Sequence, residues 1–215
     1  MGGLAVVVGS HARDLTLETG DWTLLPRHGD SGYALPHQID YAHNMRQLLE
    51  AGCDRVLAIG SVGGLRPELG PGTFVCPDDF IALDTPPTTA VGGVAAHRVP
   101  GFDLGWRGDV VAAFAGSGAE VRDGGVYWQA TGPRLETPAE IRLISEHADV
   151  IGMTIASECV IAGELGLRYA AVCVVDNLAN GIGEAELTLL ELEAHRATNI
   201  AALEAALGAA IPRLA

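Results

Sequence analysis

Three short polar groups follow apolar runs of the sequence, and their side chains include a carboxylate, a hydroxyl and an amide that could hydrogen-bond a polar ligand. The groups are Gly132-Pro133-Arg134-Leu135-Glu136 after Val126–Trp128, Gly152-Met153-Thr154 after Val150–Ile151, and Asp176-Asn177 after Tyr169–Val175. Helical patterns separate the apolar runs, and this alternation predicts a largely parallel sheet. Because ligands bind beyond the carboxyl ends of the strands in such sheets, we expect the three groups to converge on one site.

Two further turns carry residues that can bind an anion. Gly9-Ser10 follows the predicted strand Leu4–Val8 and offers a hydroxyl and a backbone amide. Arg27 and His28 follow the predicted strand Trp22–Leu25, and an arginine can hold an anion with two parallel N–H bonds. A lone Gly-Ser turn such as Gly9-Ser10 is mostly structural, whereas at Arg27-His28 spacing alone is equally consistent with a polar surface turn.

A glycine cluster, Gly60–Leu65, comes directly after the predicted strand Arg55–Ile59. Glycines at the end of a strand let backbone N–H groups approach a ligand closely. The cluster has neither the G-x-G-x-x-G nor the Walker spacing, so the pattern does not indicate a dinucleotide or nucleoside-triphosphate site.

The remaining patterns predict the elements that must position these groups. Thr137 and Glu140 form a capping box at a helix start, which leaves Glu136 in the turn between strand and helix. A second box, Thr188 with Glu191, predicts a C-terminal helix that runs to about Leu207. The other predicted elements are the helices Ile39–Ala51 and Gly108–Gly116 and the strands Thr73–Cys76 and Phe80–Leu83.

The segment Asp84–Gly105 is rich in proline, threonine and glycine and has no clear period. A loop of this length inside a compact domain is usually functional or contacts another subunit. His97 lies within it.

The composition is that of a folded protein with a strongly acidic balance. Of the 215 residues, 48% are hydrophobic and 19% charged, and the net charge is −14. These values predict one well-buried domain over residues 1–215 and argue against a nucleic-acid or acidic-membrane surface. The four cysteines show no C-x-x-C spacing, so we expect free thiols and a reducing, cytoplasmic setting. The apolar run Leu4–Val8 is too short for a secretion signal or a membrane span.

Motifs in order along the chain resemble the trimeric purine nucleoside phosphorylases and methylthioadenosine phosphorylases, and in particular their bacterial S-methyl-5′-thioinosine phosphorylase branch. The motifs are R-H-G at 27–29, P-H-Q-x-x-Y-x-x-N at 36–44, G-G-L at 63–65, A-x-G-P-R-L-E-T-x-A-E-I at 130–141, D-x-I-G-M-T-x-x-x-E at 149–158, and a strand ending in Asn at 177. Together they extend over nearly the whole chain. The resemblance implies an α/β fold, with a mixed central sheet flanked by helices, and a homotrimer.

The resemblance also implies a set of site residues. Phosphate would be bound by Ser10, Arg27, His28, the backbone of Ser61, and Thr154. The nucleoside would be bound by Val62, Gly63, Leu135, Glu136, Met153, Asn177, Leu189 and Leu192, and by His97 of a neighbouring subunit. Catalytic roles would belong to Glu136, Asn177 and His28. No metal and no organic cofactor is implied, and inorganic phosphate is the co-substrate.

The implied reaction is the phosphorolysis of a purine nucleoside, a pentosyl transfer to phosphate that serves purine salvage. As the N-glycosidic bond breaks, positive charge builds on the ribose and negative charge on the purine. Glu136 and Asn177 would hydrogen-bond the purine, while bound phosphate would stabilise the sugar and attack C1′.

Two positions bear on the substrate. Glu136 with Asn177 is the pairing that the resemblance implies for 6-oxopurines, whereas the adenine-preferring enzymes typically have Ser and Asp. Leu189 stands where inosine-type enzymes have a histidine, and an apolar side chain suits a methylthio group. The favoured substrate is therefore 5′-methylthioinosine.

The sequence departs from the family pattern at several positions. His11 replaces the usual glycine of a first loop that is also short, and Gly60-Ser61 replaces Asn-Ala or Thr-Ala. Asp176 precedes Asn177, so a shift of one residue would place Asp176 against the purine. The alternatives are a methylthioadenosine, inosine or guanosine phosphorylase, a nucleosidase in which water replaces phosphate, and an inactive purine-binding homologue.

Overall fold

The described strands of this chain belong to one mixed sheet with helices on both faces. The computed structural model describes residues 2–10, 15, 17, 20–29, 32–83, 89–183 and 189–215, and of residues 189–197 only the backbone. The strands are β1 Gly3–Val8, β2 Trp22–Pro26, β3 Cys53–Gly64, β4 Phe74–Cys76, β5 Asp79–Ile81, β6 Val121–Asp123, β7 Val126–Gln129, β8 Val150–Gly152 and β9 Arg168–Leu178. The helices are α1 Tyr41–Glu50, α2 Leu104–Gly116, α3 Pro138–Ile144, α4 Ile155–Glu164 and α5 Leu189–Leu214. No helix within these ranges is both long and apolar enough to cross a lipid bilayer.

The two long strands β3 and β9 form the centre of the sheet. They pair in parallel, and β1 pairs in parallel with the first part of β3 and with β2. The last two residues of β3 pair with β9 on one side and, in antiparallel orientation, with β8 on the other. The order along the main path is β5-β7-β8-β3-β9-β4-β6. The predicted fold class, a mixed sheet flanked by helices, is confirmed.

Alternate residues of the central strands pack into two different cores, as expected for strands that are buried on both faces. In β1, Ala5 and Val7 belong to a core shared with α1 and α4. Leu4, Val6 and Val8 belong to a second core, shared with α2 and α5. Both faces of the sheet are therefore covered, and the carboxyl ends of the strands remain for a ligand.

The prediction that β3 ends at Ile59, before the glycine cluster, is wrong. Gly60 to Gly64 continue the strand. A Cβ on Gly64 would lie 2.3 Å from the Leu69 carbonyl oxygen, and one on Gly60 would lie 3.2 Å from the Ile155 side chain. These glycines therefore let the following turn and the first residue of α4 pack closely on an extended strand.

Several helix bounds differ from the sequence predictions. Helix α2 begins at Leu104 rather than Gly108, because the Asp103 carboxylate accepts the Trp106 N–H at 2.8 Å and caps the helix there. Helix α5 continues to Leu214. The capping box of Thr137 and Glu140 at α3 is confirmed, whereas Thr188 of the second box lies outside the described residues.

Candidate active site

A cavity of about 370 Å³ opens at the carboxyl ends of β1, β2, β8 and β9 and along the last residues of β3. Among the residues with predicted site roles, Ser10, Arg27, His28, Ser61, Val62, Gly63, Leu135, Glu136, Met153, Thr154 and Asn177 all line it. Asp176 lines it as well. The three polar groups and the two turns with anion-binding residues therefore meet in one space.

Three of the predicted site residues are not placed in this cavity. His97 follows a 3₁₀ turn at Gly93–Ala96 and is not among the lining residues of its own chain. The side chains of Leu189 and Leu192 lie outside the described part of the chain, as does His11.

Arg27 is buried at the inner end of the cavity and forms an ion pair with Glu158 of α4. Its Nε and Nη2 atoms donate to the two carboxylate oxygens of Glu158, at 2.7 and 2.9 Å. Its Nη1 donates to the Ile59 carbonyl at 2.9 Å. Arg27 is 2% exposed and Glu158 is fully buried. The two parallel N–H groups of Arg27 that we expected to bind an anion therefore bind a carboxylate of the protein itself.

The ion pair between Arg27 and Glu158 is extended by Tyr169, whose hydroxyl donates to Glu158 at 2.8 Å. Burial lowers the pKa of Arg27, but the charge and hydrogen bonds of Glu158 outweigh this and raise the pKa above its ordinary value. Burial, together with the charge of Glu158, raises the pKa of Tyr169. Arg27 and Tyr169 therefore keep their protons over the physiological range.

Gly9 allows the Arg27 guanidinium to reach the turn after β1. A Cβ on Gly9 would lie 2.8 Å from Arg27 Nη1, closer than real side chains approach. The Asn44 side-chain amide donates to the Arg27 carbonyl at 3.0 Å and holds the same turn from α1. Arg27 thus lies directly against Gly9 and beside Ser10, where we predicted the anion.

The neighbouring His28 is held in one tautomer. Its Nδ1 lies 2.7 Å from the Ala34 carbonyl oxygen, which can only accept, so Nδ1 carries the proton. The ring stacks on Tyr33 with 4.4 Å between centroids. In neutral His28, Nε2 is then the acceptor nitrogen.

Tyr127 of β7 supports the start of α4. Its hydroxyl oxygen accepts the backbone N–H groups of Thr154 and Ile155, at 3.2 and 3.4 Å, and so satisfies N–H groups at the amino end of the helix. Gly152 makes this possible, since a Cβ there would lie 2.4 Å from the Tyr127 hydroxyl oxygen. Thr154 is thereby held at the wall of the cavity.

The loop from 130 to 137 carries Glu136 and packs on Met153. Gly132 has φ +64°, and a Cβ there would lie 2.4 Å from the Met153 sulfur, so the loop can approach Met153 only with glycine. The Asn180 side-chain amide donates to the Glu136 carbonyl at 2.8 Å and fixes the loop to the end of β9. Burial raises the pKa of Glu136 above its usual value. Arg134 pairs with Glu140 at 2.7 Å and does not line the cavity.

Side chains that support this site without a role predicted from the sequence include the buried Glu158, Tyr127 and Tyr169. Glu158 is the last residue of the motif at 149–158, one turn after Thr154, and this helical spacing was the available signal. Tyr127 and Tyr169 lie in apolar strands and carried no local signal.

The sequence of this chain is similar to those of known nucleoside phosphorylases. A family model described as the phosphorylase superfamily matches residues 6–212. The chain is 41% identical over 173 residues to a probable 6-oxopurine nucleoside phosphorylase of Archaeoglobus fulgidus, which covers 80% of this chain and 71% of that protein. It is 37% identical over 176 residues to a probable S-methyl-5′-thioinosine phosphorylase of Xanthomonas campestris, covering 78% and 70%.

A methylthioadenosine phosphorylase from Schistosoma mansoni, solved in complex with adenine, has a similar structure. Its TM-score is 0.83 at 19% identity, with 99% of this chain and 91% of that chain covered. At this identity the similarity shows a shared fold.

Proposed function

This chain belongs to the phosphorylase superfamily, a family of enzymes, and we propose that it cleaves the N-glycosidic bond of a 6-oxopurine nucleoside with phosphate. The proposed substrate is 5′-methylthioinosine, and the products are hypoxanthine and 5-methylthioribose 1-phosphate. The names of two similar proteins, a 6-oxopurine nucleoside phosphorylase and an S-methyl-5′-thioinosine phosphorylase, support this choice of base and of 5′ group.

One observation carries the proposal: residues suited to an anion and residues suited to a purine line the same 370 Å³ cavity. Ser10, Arg27 and Thr154 supply hydroxyl and N–H donors. Glu136 and Asn177 supply a carboxylate and an amide. A cavity of this volume is in the range of small-molecule sites.

The proposed base preference follows from hydrogen-bond chemistry. A 6-oxopurine presents a ring N–H and a carbonyl oxygen, whereas adenine presents a ring nitrogen that only accepts. Ionised Glu136 only accepts hydrogen bonds and can bind a ring N–H, and the Asn177 amide can donate to the carbonyl. In the same orientation, adenine would place its N1 lone pair against the Glu136 carboxylate and its amino group against the Asn177 N–H, which costs affinity.

In the proposed reaction, a phosphate oxygen bonds to C1′ as the bond from C1′ to the purine nitrogen breaks, and the electron pair of that bond moves to the purine. Hydrogen bonds from Asn177 stabilise the negative charge on the base, which becomes hypoxanthine by taking up one proton as the phosphate loses one. Because Glu158 already neutralises Arg27, the phosphate relies on hydroxyl groups, backbone amides and the remaining guanidinium N–H groups rather than on a net positive charge. No metal or organic cofactor is part of this scheme.

The proposed assembly is a homotrimer that acts in cytoplasmic purine salvage. The 3₁₀ turn at Gly93–Ala96 and the residues after it expose apolar side chains, with Val94 87% and Val99 94% exposed. Because exposed apolar patches mark surfaces that other proteins cover, we propose that this loop contributes to the subunit interface. His97 lies between Val94 and Val99 and would reach the partner's cavity.

The pairing of Arg27 with Glu158 favours a second candidate, a nucleosidase that uses water instead of phosphate, because the pair leaves no net positive charge for phosphate.

Base release from methylthioinosine, inosine, guanosine and methylthioadenosine, each with and without phosphate, tests both functions. Phosphate-dependent release of hypoxanthine from methylthioinosine is the expected result. Release without phosphate would establish the nucleosidase, and release from none of the four would refute both.

A further inference from the structure

Asp176 occupies a β-bulge near the end of β9. The pairing with β3 matches Val175 to Val62 and Asn177 to Gly63, so Asp176 is an extra residue of β9 at this point. In a regular strand, successive side chains point to opposite faces, and a bulge re-aims them. The bulge explains why Asp176 and Asn177, although adjacent, both line the cavity.

The Asp176 carboxylate is held by donors from two other elements. The Ser61 hydroxyl of β3 donates to Oδ2. The Asn199 side-chain amide of α5 donates to Oδ1 at 3.2 Å. Asp176 is 2% exposed, so these hydrogen bonds are shielded from water, where losing one is most costly.

The backbone just before the bulge is held by the same helix and by a turn. Asn199 donates a second hydrogen bond to the Val175 carbonyl at 3.2 Å. The Gly72 N–H donates to that carbonyl at 2.8 Å, and the Val175 N–H donates to the Thr73 carbonyl at 2.9 Å. Gly72 has φ +87°, which requires glycine, and a Cβ there would lie 3.4 Å from Oδ1 of the Asn199 side chain. Three elements therefore converge on residues 175 and 176.

We propose that Asp176 is a positioning residue, which fixes the bulge so that the Asn177 amide faces the purine. The carboxylate is directed to Ser61 and Asn199, and Asn177 is the member of the pair that meets the ligand. Asn177 Nδ2 already donates to the Leu178 carbonyl at 2.8 Å, which orients the amide further. This inference rests on the proposed function, because it names the residue that supports the purine contact of that same site. Through the hydrogen bond from Asn199 to Asp176, helix α5 also helps to position the residue that contacts the purine.

The test compares Asp176→Asn, Ser61→Ala and the double variant with the wild type. Asp176→Asn keeps the shape of the side chain but replaces one acceptor oxygen with an NH₂ group, which faces a donor. Asp54→Asn is the matched control, because Asp54 joins β3 to Arg168 of β9, at 2.9 Å, at the opposite end of the same two strands. The readouts are the dissociation constant of hypoxanthine by calorimetry and the KM of nucleoside and of phosphate.

For Asp176→Asn we expect the hypoxanthine dissociation constant and the nucleoside KM to rise about tenfold, with the phosphate KM within about twofold of the wild type. Ser61→Ala should raise the same two constants. The double variant should bind hypoxanthine no more weakly than Asp176→Asn does, because both changes break the same contact. Asp54→Asn should match the wild type. If Asp176 served folding alone, its replacement would lower the stability of the protein without raising the nucleoside KM more than the phosphate KM.

Three outcomes would overturn the proposal. A changed phosphate KM with unchanged hypoxanthine binding would place Asp176 at the phosphate. Loss of one limb of the pH profile of kcat/KM in Asp176→Asn, but not in Ser61→Ala, would make Asp176 itself a catalytic acid or base. A folded Asp176→Asn variant with wild-type constants would show that other contacts hold the bulge. If Asp176→Asn does not fold, Ser61→Ala carries the same comparison.

The test separates this inference from the proposed function. A wild-type protein that binds hypoxanthine but releases no base from any nucleoside would refute phosphorolysis, while calorimetry on the variants would still test Asp176. A wild-type protein that does not bind hypoxanthine would refute both.

Discussion

Arg27 is a buried cation at the wall of the cavity, and Glu158 determines how much of its charge a ligand meets. The bidentate contact of the two side chains leaves the pair without net charge. The desolvation of two buried ions is costly, so such a pair contributes little net stability, yet removing one partner leaves the other charge buried alone.

Glu158→Gln should therefore lower the free energy of unfolding by about 3 kcal/mol, since it leaves the Arg27 charge uncompensated. Arg27→Met/Glu158→Gln, which removes both charges, should recover a large part of that loss. Urea unfolding of the three proteins measures the effect. Equal stability of Glu158→Gln and the wild type would mean that the buried ion pair does not form.

Glu136 should make stability depend on pH, because burial raises its pKa above the usual 4.5 in the folded state. A carboxyl group with a raised pKa binds its proton more tightly when folded. Its contribution to stability is then present below its usual pKa and is lost as the pH rises through the folded value. Glu136 is partly solvated, so the effect is moderated by water.

The free energy of unfolding of Glu136→Gln, relative to that of the wild type, should therefore increase as the pH is raised from about 4 to about 7. Thermal unfolding of both proteins at the two pH values measures the difference. Glu68, an exposed glutamate in the turn after β3, provides the control as Glu68→Gln. The same pH dependence in both variants would show that Glu136 is not desolvated.

At the scale of elements, strand β3 is the support of the site, since its glycines let α4 and the 65–69 turn approach. The Gly64 position leaves no room for a side chain, whereas Gly108 in α2 has nothing within 4 Å of the place where a Cβ would be. These two glycines form a matched pair, one required by packing and one not.

Gly64→Ala should destabilise the protein by about 1–3 kcal/mol, because the added methyl group would overlap the Leu69 carbonyl. Gly108→Ala should stabilise it by about 0.5–1 kcal/mol, because alanine favours a helix interior. Chemical denaturation of both variants measures the contrast. A tolerated Gly64→Ala would mean that β3 ends before residue 64, as the sequence alone suggested.

At the scale of the whole molecule, the charge of −14 opposes close approach of subunits, so an oligomer would need an apolar contact. Exposed apolar side chains are found at Val94 in the 3₁₀ turn and at Val99 shortly after it. We expect this surface to be buried in the proposed trimer.

Light scattering at micromolar concentration should give a trimeric mass for the wild type and a smaller mass for Val99→Asp. The reason is that a charge buried in an interface without a partner is costly. Leu143→Asp is the control, because Leu143 is a 62% exposed apolar residue on α3, outside that segment. A monomeric wild type, or equal loss of mass in both variants, would contradict the assignment of the interface.

The sequence by itself determined the order of the elements and the residues that converge on the cavity. Apolar runs bounded by turns predicted the strands, and the capping box at Thr137 placed Glu136 outside helix α3. These signals are local: they depend on residues within a few positions of one another. Parallel strands such as β7 and β8 then bring their carboxyl ends together, so the sequence assigns Glu136 and Thr154 to one site. Asn177 meets them because the end of β3 pairs antiparallel with β8 and parallel with β9.

Only the tertiary structure decided what those residues contact. Arg27 and Glu158 are 131 positions apart, so no local pattern joins them. The sequence predicts a shorter β3 because glycines weaken a strand, and the close packing of Leu69 and Ile155 that requires these glycines is visible only in the folded chain. The bulge at Asp176 depends in the same way on β3 and α5. Local signals specify where an element begins, whereas ion pairs, close approaches and bulges depend on segments that meet only in the folded chain.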